Sequence, residues 1–113
     1  MNYTIIENKK FINLTPHIIN LLYNDKEIKI NPSGKILRLE EKNKNDNNII
    51  IERRYELSEN IPHEKDCYYI VSSIVQFFSK RNDFVSPDTG STAIRDKDGH
   101  IKAVKNFIKI NTL

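Results

Sequence analysis

The sequence predicts an α+β protein built on a mostly antiparallel, curled or barrel-like β-sheet, with one short helix at about 73–81. Three observations carry this. Short apolar or alternating runs recur along the chain, separated by Asn, Asp, Gly and Pro, the pattern of hairpin-linked strands. Asn31-Pro32-Ser33-Gly34 and Asp96-Lys97-Asp98-Gly99 are strong turn signals, because proline presets φ and glycine supplies positive φ. Only after Ser72-Ser73 does the spacing change, with apolar residues at Ile74, Val75, Phe77 and Phe78 suiting a helix better than a strand.

Taken in order, Tyr3 to Ile6 forms a first strand, and Glu7 to Lys10 connects it to Phe11-Ile12-Asn13-Leu14. Thr15-Pro16 then breaks the chain, since proline removes a ladder donor and restricts the residue before it. His17 to Tyr23 and Glu27 to Ile30 read as strands around an Asn24-Asp25-Lys26 turn. Lys35 to Leu39 returns as another strand. From 40 to 48 the chain is only Glu, Lys, Asn and Asp, which predicts an exposed polar loop. Asn48 to Glu56 is a strand, Leu57 to Lys65 is irregular, and Cys67 to Val71 is the most β-prone run. Val85 to Ser91 is a turn-rich loop, and Thr92 to Arg95 pairs through the Asp-Gly turn with His100 to Lys109.

With 113 residues the chain 1–113 fits one domain with a single core. No apolar run approaches the ~20 residues of a membrane span. One cysteine, Cys67, excludes an internal disulfide framework and fits a reducing cytoplasm. The net charge of +3 is spread among interspersed acids; Lys9-Lys10, Arg53-Arg54 and Lys80-Arg81 are only pairs, which disfavours nucleic-acid binding. His17, His63 and His100 with one cysteine give no zinc spacing, and Asp96-Lys97-Asp98-Gly99 lacks the downstream acid of a calcium loop. No cofactor fingerprint, Walker loop or paired-carboxylate arrangement occurs; an enzyme is not demanded.

The candidate binding residues are those able to hold an anion. Ser72 and Ser73 open the helix, where orphan N–H groups and a partial positive charge meet. Arg38, Arg54, Arg81 and Arg95 carry guanidinium forks that match phosphate oxygens. Asn13, Thr15 and His17 surround the Thr15-Pro16 break; Asp88 and Thr89 could face a ribose. Each has a plain structural alternative: capping for Ser72, turn bonds for Asn13, Thr15 and Asp88, solvated ion pairs for the arginines.

Five segments together resemble a group of small single-domain phage, prophage and bacterial proteins of unassigned function. They are Asn13-Leu14-Thr15-Pro16-His17, Pro32-Ser33-Gly34 with Arg38, Tyr69-Ile70-Val71-Ser72, Arg81-Asn82-Asp83 leading to Pro87-Asp88-Thr89-Gly90, and Arg95-Asp96 with Asp98-Gly99. The resemblance implies an accessory gene, with phage anti-defence proteins among the possibilities. The expectation is therefore a non-catalytic, homo-oligomeric, cytoplasmic protein that sequesters a small anionic nucleotide-type signal. The alternatives are a hydrolase of such a molecule and a protein–protein interaction module. Homo-oligomerisation is expected because a sheet this small has little room for a deep pocket, and subunit interfaces supply one.

Overall fold

The computed structural model describes residues 1–45 and 49–111, and shows an α+β chain of eleven short strands and one helix. At its centre lies a five-stranded mixed sheet in the order β1 (Thr4–Ile6), β2 (Lys9–Asn13), β7 (Cys67–Ile70), β8 (Phe84–Pro87), β11 (Phe107–Ile108). Three two-stranded hairpins complete it: β3 (Ile19–Tyr23) with β4 (Lys26–Ile30), β5 (Leu39–Asn45) with β6 (Glu52–Leu57), and β9 (Ile94–Arg95) with β10 (Ile101–Ala103). Among the described residues, five of the seven ladders are antiparallel. The two in the middle, β2–β7 and β7–β8, are parallel. The sheets are open, and none of those described closes into a barrel.

The parallel centre follows from connection length. Helix α1 (Ser73–Ser79) fills the link from β7 to β8, the kind of crossover that parallel neighbours require. The tight hairpins are equally local. Glu7-Asn8 and Asn24-Asp25 all take positive φ between the closing pairs Ile6–Lys9 and Tyr23–Lys26, as a two-residue hairpin turn demands.

Alternation along β7 divides the interior into two layers. Cys67, Tyr69 and Val71 face one cluster with Ile12, Leu14, Leu37, Ile61, Val75 and Phe84. Tyr68 and Ile70 face the other, where Ile19, Leu21 and Ile30 of the β3–β4 hairpin cover the sheet with Ile6, Val85 and Val104. Phe11 stacks between Tyr68 and Phe107 on that side. The C-terminal hairpin is stitched to β3 by Leu22 N–H to Val104 O and Val104 N–H to Asn20 O.

Several elements differ from expectation. The polar stretch expected as a loop over 40–48 is strand β5 through Asn45, paired with β6; positions 46–48 lie outside the described residues. Glu40 to Lys42 and Glu52 to Glu56 are exposed on both faces of the ladder, so polarity does not disqualify it as a strand. Lys35 to Arg38 is extended but unladdered, held instead by Leu37 N–H to Leu14 O at 3.0 Å. Val85 to Pro87 belongs to β8 rather than to a loop, because β11 pairs with it. The expected strand from His100 to Lys109 splits between two sheets as β10 and β11. The helix stops at Ser79, with Lys80 as a left-handed cap at φ 54°.

The β5–β6 hairpin is an arm. Among its described residues, Leu39 and Leu57 at its base pack on the core; Glu40, Glu41, Lys42 and Glu52 to Glu56 are exposed. The chain accordingly measures 55 × 37 × 32 Å with a radius of gyration of 16.1 Å, against about 13 Å for a compact domain of this size.

Candidate functional site

Helix α1 sets the site by burying the wrong-looking residue. Gln76 is 1 % exposed, with its amide nitrogen Nε2 donating to Phe84 O and Ile108 O and its Oε1 accepting from Ser86 Oγ. Val75 faces inward beside it. The outward side is then left with Ile74 at 66 %, Phe77 at 71 % and Phe78 at 43 % exposure. These sit at i, i+3 and i+4, neighbours on one helical face. A seven-residue helix cannot turn both its polar anchor and this apolar stripe toward the sheet.

The stripe forms one wall of a cavity of about 700 Å³. Leu14, Thr15 and Pro16 make its floor at the end of β2, and Ile36 to Leu39 with Tyr55 close it at the base of the arm. The floor is held by Leu14 N–H to Ile70 O at 2.8 Å. The arm's root is fixed by Arg38 N–H to Ser58 Oγ and Ser58 N–H to Arg38 O. Among the described residues, the Arg38 guanidinium makes no hydrogen bond or ion pair, and it is the one charged group lining the groove.

Of the expected binding residues, the groove gathers Thr15, Arg38 and Ser72. Asn13 lies beneath it, fully buried: Nδ2 donates to His17 O (2.7 Å) and Ile30 O (3.2 Å), while Oδ1 accepts from Thr15 N–H (3.0 Å) and Thr15 Oγ1 (2.7 Å). Ser72 caps the helix by accepting from Val75 N–H at 3.4 Å, and Ser73 is exposed beside it. His17 and Thr89 line a separate cleft of about 320 Å³ with Asn20 and Lys102.

The arginines do not converge. Arg54 pairs with Glu52 on the arm. Arg81 makes a two-pronged contact with Asp83, donates to Ile61 O and lies 4.3 Å from the Phe84 ring centroid. Arg95 donates to Gly99 O in the turn of its own hairpin and to Thr89 O in the segment before it. Asp88 accepts from Gly90 N–H and Thr92 Oγ1, forming a turn.

Among the described residues, no His, Cys, Lys or carboxylate lines the groove. Cys67 is buried, and burial pushes its thiol up, away from the thiolate a nucleophile needs. Tyr69 is buried too, its hydroxyl donating to Pro62 O at 2.8 Å and pushed up to about 12, chiefly by desolvation. Asp96, Asp98 and His100 bring one ligand atom each within 4.8 Å of one another. Turn geometry accounts for that grouping, since Asp96 Oδ1 accepts from the N–H groups of Asp98 and His100. Among the described residues, no helix is long and apolar enough to cross a membrane.

Sequence reasoning missed Ile36, Leu39, Tyr55 and the outward role of Ile74, Phe77 and Phe78. The available signal was Gln76, a polar residue set among four apolar ones in a helix too short to bury them all. Comparison with protein-family models, with curated proteins and with solved structures finds no match.

Proposed function

We propose that this chain is a non-catalytic binding protein, an interaction module whose groove accepts an apolar-faced polypeptide segment. One observation carries the reading: helix α1 buries Gln76 and turns Ile74, Phe77 and Phe78 to solvent. Exposed apolar surface gathered in one concave place marks docking sites, and here a hydroxyl pair and one guanidinium edge it. A helix or extended segment with apolar side chains at alternate or helical spacing fills such a groove.

A second reading has its own observation. Thr15, Arg38 and Ser72 line the same groove as Tyr55, Phe77 and Phe78, so an aromatic wall for a base lies near one phosphate-reading fork. Sequestration of a small anionic nucleotide-type ligand draws on that juxtaposition. A single guanidinium is little for a multiply charged ligand, which places the polypeptide reading first.

An anilinonaphthalene sulfonate dye, apolar with one anionic group, tests the groove directly. Dilute protein is expected to enhance its fluorescence, and Phe77→Asp to reduce that enhancement several-fold while the circular dichroism spectrum and Tm hold. Equal uptake by Phe77→Asp contradicts the reading. Displacement of the dye by cyclic dinucleotides, but not by apolar peptides, moves the assignment to the nucleotide reading.

A further inference from the structure

We infer that the segment filling the groove is Ile49-Ile50-Ile51, next to Glu52 at the far end of β6, from a second copy of this chain, in a reciprocal two-fold dimer. The inference rests on the groove being a docking face. At the tip, immediately before Glu52, stand Ile49 at 105 %, Ile50 at 81 % and Ile51 at 49 % exposure. Three consecutive exposed isoleucines stand beyond a ladder that is mostly polar and charged. This apolar surface is separate from the groove and matches it in chemistry.

Geometry assigns the two surfaces to different copies. The groove includes Leu39 and Tyr55 at the arm's base, whereas the isoleucines lie beyond the last pair, Asn45–Glu52. At about 3.3 Å per strand residue, the tip stands roughly 15 Å from Tyr55. A strand cannot fold back on its own root across that span without dissolving its ladder. Two arms laid antiparallel about a two-fold axis through their midpoints place each tip on the other copy's groove. The contact is then isologous and closed.

The area suffices. Taking roughly 150–250 Å² for a fully exposed large side chain, the three isoleucines and Ile36, Tyr55, Ile74, Phe77 and Phe78 carry roughly 900 Å² of exposed surface, given their fractional exposures. Two such contacts reach roughly 1,800 Å², within the range of stable interfaces. Glu40, Glu41, Glu52 and Glu56 interleave with Lys42, Arg53 and Arg54 along the arm, so antiparallel arms meet with little net repulsion.

Light scattering on size-fractionated protein tests this. The wild type is expected at twice the 13.3 kDa chain mass, with dye uptake per molecule falling as concentration rises. A double variant Ile49→Asp, Ile50→Asp is expected at the single-chain mass with dye uptake independent of concentration. Phe77→Asp is also expected at the single-chain mass, and mixing the two variants is expected to restore part of the dimer, because one intact tip then meets one intact groove. A tip variant that remains dimeric overturns the inference. A monomeric wild type whose dye uptake is abolished by Phe77→Asp overturns it while leaving the groove reading standing. A monomeric wild type that takes up no dye overturns both.

Discussion

Asn13→Ala is expected to lower stability by about 3 kcal/mol, because each buried polar group left unpaired costs ~1–3 kcal/mol. The side chain uses both donors and both acceptor positions of its amide on the backbone of His17, Ile30 and Thr15 and on the Thr15 hydroxyl. Alanine orphans those partners at the junction where β2 hands the chain to the groove floor. Thermal unfolding should fall by roughly 10–15 °C for a chain of this size. Asn13→Asp keeps the two acceptor contacts and loses the two donors, so its Tm is expected between the two. An alanine variant with an unchanged Tm would show that Asn13 is not the clamp the hydrogen bonds describe.

Arg81→Ala is expected to cost about 2 kcal/mol, since removing one member of a largely buried ion pair strands the other. Arg81 and Asp83 are 17 % and 13 % exposed at their side chains, 2.7 Å apart, and Arg81 also satisfies Ile61 O. Lysine should restore little, because it lacks the fork that spans both carboxylate oxygens. The pH dependence has a definite sign. Burial pushes the Asp83 carboxyl up, but the Arg81 guanidinium, with His63 nearby, outweighs it and holds the group below its ordinary 3.8. The pair's contribution is therefore complete above pH 3.8 and lost as pH falls through the lower folded value. The stability gap between wild type and Arg81→Ala should narrow below pH 3.8; a gap that stays constant from neutral pH into acid contradicts this account.

These two residues show where the sequence was legible. The fold class could be read, because turn residues at Asn24-Asp25 and Asp98-Gly99 fix hairpins locally, and the spacing after Ser72 marks one helix. Asn13 and Arg81 could be recognised as polar groups near chain breaks, but not as closed structural networks, since their partners lie up to 20 residues away. Strand order was not legible either. Parallel pairing of β2 with β7 joins segments separated by two hairpins, which no local signal encodes. The arm was hidden for a different reason: a ladder with solvent on both faces carries no hydrophobic alternation. The groove depended on which side of α1 faces the sheet, and that choice is made by Gln76 bonding to β8 and β11.

The central claim is that the apolar face of α1 and the arm's root form a docking surface that receives Ile49-Ile50-Ile51 of a second copy. Proton–carbon methyl and aromatic NMR spectra, recorded while the protein is diluted from high to low concentration, test it most directly. Shift changes are expected to concentrate on Ile36, Tyr55, Ile74, Phe77 and Phe78, and on Ile49 to Ile51. Changes centred instead on the β3–β4 hairpin or the β9–β10 hairpin, with the groove resonances unmoved, would contradict it.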